Sequence, residues 1–238
     1  MDIYRIIAKA IKTAIPCIFV LLLFGCATYF SDPFSGTLDP SYRKFDENRI
    51  DNYEIVGGQL RITASRGEDL WGGTPLKRGA PLLLHAVPGG DYEVESLVAA
   101  GQPGTTARIN TQVGLFVFKN VENWLFFGFT FHKSQAGTLP EGYGLIVTST
   151  IGDASRIESY EEIPPGPVTA PSALVGTLKI RKSGNSWRFY VKSGSAWNQV
   201  GPPVGASLGN HEVGMGAKSF QSGGTAAFGY FDNFVIRN

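Results

Sequence analysis

The chain is poor in charge (17%) and rich in aromatic rings (12%), with four tryptophans and nine tyrosines among 238 residues. Flat rings beside a few hydrogen-bonding groups suit sugars, whose apolar C–H faces stack on aromatics while their hydroxyls need donors and acceptors. Trp71, Trp124, Tyr143, Trp187, Tyr190 and Trp197 are the candidate rings. Alternation along the chain sorts them. Over residues 187–192, Trp187, Phe189 and Val191 share one side and Arg188, Tyr190 and Lys192 the other. Strand side chains alternate with period two, so the first set reads as core and the second as an open face. Lys179 and Arg181 alternate with Leu178 and Ile180 in the same way, so the basic and phenolic groups of the two segments are expected to share that open face. Trp124 is opposite in parity to Leu125, Phe127, Phe129 and Phe131, and so faces away from any core those four build. The preferred binding set is therefore Trp124, Arg181, Arg188 and Tyr190, with Trp71 on a rim loop; simple packing of the two tryptophans is the competing reading.

Other chemistries have less support. Asp91, Glu93 and Glu95 alternate on one strand face, which superficially mimics an acid cluster but reads as a solvated outer surface. Glu161 and Glu162 read as surface, and His85, His132 and His211 lack ligand spacing. The formal net charge of +1 does not point to nucleic acid. Cys17 and Cys26 are the only cysteines, so the rest of the chain can build neither a disulfide framework nor a thiolate zinc site.

Residues 1–25 have the grammar of a signal peptide: Arg5, Lys9 and Lys12, then an apolar run from Ala14 to Phe24. That run is about half the ~20 residues needed to span a bilayer. Leu23-Phe24-Gly25-Cys26 resembles the bacterial lipobox, with Phe24 where small or β-branched residues are usual. The resemblance implies acylation of Cys26, a tether over 26–31 and a domain over 32–238 facing outside the cytoplasm in the cell envelope. An uncleaved anchor and plain secretion are the alternatives. Loss of 1–25 leaves 18 basic against 19 acidic residues, a nearly neutral surface.

The remaining sequence reads as strands. Residues 59–65 and 91–98 alternate as half-buried strands, whereas 112–118 and 124–131 are apolar at nearly every position, as in central strands covered on both faces. Further runs lie at 142–150, 176–182, 187–192, 212–217 and 226–236, joined by turns such as Ser183-Gly184-Asn185. Residues 31–52 read as an entry segment, and Pro164, Pro165, Pro167 and Pro171 mark a long surface loop. Roughly a dozen strands and no convincing helix predict an all-β sandwich of two antiparallel sheets.

The order of these pieces resembles the concanavalin A-like jelly-roll domain at the C-terminus of family 43 β-xylosidases. The matching stretches include Asp32–Pro40, Gly57–Ile62, Gly90–Glu95, Val113–Val117, Glu122–Trp124, Leu178–Arg181, Ser193–Trp197 and Tyr230–Ile236. Laminarinase-like hydrolases of this fold carry Glu-x-Asp-x-x-Glu on one strand. The matching stretch here, Asn123 to Phe131, has no carboxylate, and Glu122 precedes it alone. Retaining hydrolysis needs two carboxyls ~5–5.5 Å apart. The resemblance also implies one structural calcium ion on Asp32, the Gly58 carbonyl and Asp232; bonding of Asp232 to backbone amides near the chain start is the alternative. A membrane-anchored, lectin-like protein that holds a glycan without cutting it is the leading expectation. A hydrolase or lyase with an unrecognised site and a protein-binding surface lipoprotein are the alternatives.

Overall fold

The computed structural model describes residues 27–45, 52–72, 79–101, 110–132, 142–163, 174–220 and 226–238. The signal segment, Cys26 and the proline-rich stretch lie outside these residues.

Two antiparallel sheets enclose a shared core. The first is nine-stranded and runs β13 (Ala196–Gln199), β12 (Ser186–Ser193), β11 (Leu174–Ser183), β6 (Tyr92–Ala100), β16 (Ala227–Arg237), β4 (Gln59–Ala64), β3 (Tyr53–Val56). Two further strands join it, β1 (Thr28–Asp32) on β16 and β14 (Val204–Gly205) on β12. The second is seven-stranded and runs β10 (Ala154–Glu162), β9 (Gly142–Ile151), β8 (Asn123–His132), β7 (Thr111–Asn120), β15 (Glu212–Ser219), β5 (Leu82–Ala86), β2 (Arg43–Phe45).

The expected alternation is present. Leu178, Ile180, Trp187 and Phe189 from one sheet meet Leu125, Phe127, Phe129 and Phe131 from the other in the main core. Burying one Leu or Phe side chain contributes about 1.5–3 kcal/mol, so these rows hold the sheets together. β7 and β8 are buried along nearly their whole length, because both their faces are covered.

Two parts of the N-terminal reading change. The stretch expected as a tether contains β1, paired with the last strand from Thr28↔Arg237 to Asp32↔Phe234. The entry segment contributes β2 to the seven-stranded sheet. Both strands are too short to show a period in sequence. A strand paired into the sheet in this way is tied down rather than frayed.

Candidate functional site

The side of the seven-stranded sheet that faces away from the main core carries a second cluster: Phe116, Phe118, Trp124, Phe126 and Ile146, with Leu82 and Leu84 from β5. Register sets this face out in rows. Phe118, Trp124 and Thr150 lie abreast on β7, β8 and β9; Phe116, Phe126 and Thr148 form the next row. A row of glycines follows, Gly216, Gly114 and Gly128. Beyond it lie Lys218, Gln112 and Thr130. Glycine is required in the middle row: a Cβ on Gly128 or Gly216 would press on the Phe126 or Phe116 ring respectively.

Several polar atoms on this face are buried and unspent. Among the described residues, the Trp124 indole N–H, the Thr130 and Thr148 hydroxyls, Gln112 Oε1 and the Tyr160 hydroxyl have no hydrogen-bond partner. An unmade buried hydrogen bond costs about 1–3 kcal/mol, so a set of them on one face marks a place where a hydroxylated ligand or water would be held. Lys218 is also fully buried. Its Nζ lies 4.5 Å from the Trp124 ring centroid, 5.3 Å from that of Phe126 and 3.5 Å from Asp69 Oδ1. Burial pushes the Lys218 pKa down, and the Asp69 charge opposes that shift.

A strap over residues 65–72 crosses this face. The Ser219 N–H donates to the Glu68 carbonyl (2.8 Å), tying the strap to β15, and the Gly72 N–H donates to Ser155 Oγ (2.6 Å), tying it to β10. Between those ties Leu70 packs into the Trp124 cluster. Ser65 N–H donates to Glu68 Oε2 (2.7 Å), closing the turn that starts the strap. Trp71 is half-buried on the strap, so it and Trp124 belong to the same side of the sandwich.

Arg181, Arg188 and Tyr190 lie elsewhere. They share the outward face of the nine-stranded sheet, where Arg181 is opposite Arg188 and Lys179 opposite Tyr190. The expected common face for these groups is present, but Trp124 is on the other sheet, so the five residues do not form one site. Trp124 itself is fully buried and packed, not an open stacking platform. The acidic residues of β6 sit on the same outward face as the arginines. Glu93 pairs with Lys179 (3.1 Å) and Arg181, and Glu95 with Arg237. Burial raises the Glu93 pKa, and the Lys179 and Arg181 partners outweigh it, leaving the carboxyl below its ordinary value. Asp91 caps the β11–β12 turn, accepting from the Gly184 N–H at 2.7 Å. His85 stacks on Phe30, His132 contacts the Tyr160 ring and His211 bonds Tyr92, so the three histidines have separate settings.

The three calcium candidates converge on β16. Asp32 lies opposite Phe234, and Leu60, two residues after Gly58, lies opposite Phe231, next to Asp232. Asp32 Oδ1 accepts from the Phe34 N–H (2.7 Å), holding Phe34 at a positive φ of 52°. Asp32 Oδ2 is buried beside the Tyr42 hydroxyl, and burial together with the charge and hydrogen bond of Asp32 pushes the Tyr42 pKa up.

No family model and no curated protein matches the sequence. Solved structures do match. The xylan β-1,4-xylosidase of Bacillus halodurans C-125 superposes with a TM-score of 0.63 at 18% identity, over 87% of this chain and 39% of that one. The GH43 protein BlXynB of Bacillus licheniformis gives 0.66 at 18% identity with the same coverages. The fold is the concanavalin A-like sandwich. The CBM2 module of the evolved Dit of Lactobacillus casei BL23 phage J-1 gives 0.50 at 9% identity, covering 87% of this chain and 95% of that one. The chain thus spans about two fifths of the xylosidases it matches.

Proposed function

We propose that this protein binds a glycan on the strap-covered face of the seven-stranded sheet and is held at a bacterial membrane by acylated Cys26. The set of unspent buried polar atoms carries this reading. An indole N–H, three hydroxyls and an amide oxygen beside aromatic rings are the complement of a sugar. The xylosidases and the CBM2 module of like fold are consistent with it. Of the strands that build this face, β7, β8 and β9 carry no Asp or Glu, and the Glu212 carboxylate of β15, abreast of Phe118, is taken by Arg43. The buried Asp69 and Glu68 come instead from the strap, where Asp69 pairs with Lys218 and Glu68 accepts from Ser65. A structural calcium at Asp32, Gly58 and Asp232 completes the reading.

A glycan array probed with the full chain in detergent tests it. Binding to at least one glycan is expected, and no binding by a folded protein would sink the reading. The double substitution Thr130→Val and Thr148→Val removes two unmade hydrogen bonds while keeping shape. It is expected to raise stability by about 1 kcal/mol or more and to weaken glycan binding. Release of reducing ends from the bound glycan, lost on replacing Asp69, would show an enzyme instead. Incorporation of labelled palmitate by wild type, absent from Cys26→Ser, tests the anchor.

A further inference from the structure

The outward face of the nine-stranded sheet carries an arrangement that glycan binding on the opposite sheet leaves unused. On β6, β11, β12 and β13 this face presents Lys179, Arg181, Arg188 and Lys192 against only two carboxylates, Glu93 and Glu95. Glu93 takes both Lys179 and Arg181, and Glu95 takes Arg237. Among the described residues, Arg188 and Lys192 have no carboxylate partner. The chain as a whole is close to neutral, so this positive charge is local.

Two rings stand among the cations. Trp197 lies opposite Lys192, and Tyr190 opposite Lys179. Lys179 Nζ is 4.1 Å from the Trp197 centroid and 5.8 Å from that of Tyr190. Lys192 Nζ is 5.8 Å from the same indole, and the Arg181 guanidinium 6.0 Å from the phenol. The Lys179 ammonium, pinned by Glu93 at 3.1 Å, therefore sits between the rings and fixes both. Such contacts draw the rings toward the cation and order two side chains that would otherwise sample several rotamers. The result is a pre-set pair of rings beside two free cations, one of them an arginine whose planar fork suits a carboxylate or sulfate.

We propose that this face is a second binding surface, for an acidic polysaccharide. Such a chain offers both things the face asks for: sugar faces to lie on Tyr190 and Trp197, and regularly spaced anions for Arg188 and Lys192. The proposal rests on the glycan-binding reading but places an anionic class of ligand on the other sheet.

The test compares polygalacturonate with neutral xylan, using the full chain in detergent and two double variants: Arg188→Ala with Trp197→Ala, and Thr130→Val with Thr148→Val. Circular dichroism checks that each is folded. Polygalacturonate should bind wild type and the threonine variant alike. The Arg188/Trp197 variant should lose about tenfold in affinity, and 1 M salt, where screening reaches about 3 Å, should weaken wild type similarly. Binding of polygalacturonate unchanged in the Arg188/Trp197 variant overturns the proposal. So does binding of xylan alone, which leaves the glycan-binding reading standing. Failure of polygalacturonate to bind overturns the proposal whatever xylan does, and only failure across the whole glycan array removes the glycan-binding reading as well. Preference for phosphatidylglycerol over phosphatidylcholine vesicles, lost in the Arg188/Trp197 variant and without polygalacturonate binding, assigns the face to lipid and also overturns the proposal.

Discussion

Lys218 keeps its place because Asp69 and two rings share its surroundings. A buried ion pair adds little over an apolar pair, but removing one partner strands the other charge. Lys218→Met should therefore cost about 3–5 kcal/mol in urea unfolding, and Lys218→Met with Asp69→Asn should recover most of it. A second residue-scale expectation concerns pH. His211 Nδ1 faces the Gly209 carbonyl (2.5 Å), which only accepts, so Nδ1 carries the proton and Nε2 accepts from the Tyr92 hydroxyl (2.6 Å). The ring is thus held neutral, and burial pushes its pKa below 6.5. The unfolded chain binds a proton there more readily, so this contribution is complete above pH about 6.5 and is lost as pH falls through the folded value. The melting temperature of wild type should decline below about pH 6.5 more steeply than that of His211→Gln.

Among the elements, the strap decides what the seven-stranded sheet can do. Gly72 lets it pass close to the β9–β10 turn: any Cβ there would overlap the Asp153 carbonyl oxygen, which is backbone and cannot swing aside. Gly72→Ala should release that end, cost about 1–3 kcal/mol and speed tryptic cleavage after exposed Arg66; an unchanged rate would show that the strap is not latched there. The sequence showed the parity of β8 and β12 correctly, because period two survives in single strands. Parity tells which side of a strand a residue takes, not which sheet the strand joins. That is why Trp124 and Arg188 read as neighbours although they lie on opposite faces of the sandwich. The strap shows neither strand nor helix period, and β10 is a charged edge strand without clean alternation, so neither was visible. Gln112, Thr130 and Lys218 are ordinary strand residues in sequence; only register places them abreast.

At the level of the whole molecule, the last strand gathers distant parts of the chain. β16 pairs with β1, β4 and β6, and the calcium candidates meet along it. A cation there would clamp the N-terminal strand, the β3–β4 turn and the final strand at once. Millimolar calcium should raise the melting temperature of the full chain relative to chelator, and Asp232→Asn should abolish the rise; equal curves for wild type with and without calcium would dismiss the site. The two outward faces also differ in kind. One is roofed by the strap over rings and unspent polar atoms, and the other is open and carries unpaired cations, so two ligand classes need not compete.

The pairing of Thr28 with Arg237, and the bond from the Asn238 N–H to the Ala27 carbonyl (3.1 Å), bring the described sandwich to the residue that follows Cys26. One residue reaches at most about 3.5 Å. Were Cys26 acylated as proposed, the sandwich would therefore have no leash. It would stand on the lipid like a tile set in mortar, with the end near Thr28 and Arg237 downward, unable to sweep through the surrounding medium. Whatever it held would have to be carried to that membrane, and every copy would present its two faces sideways, toward its neighbours.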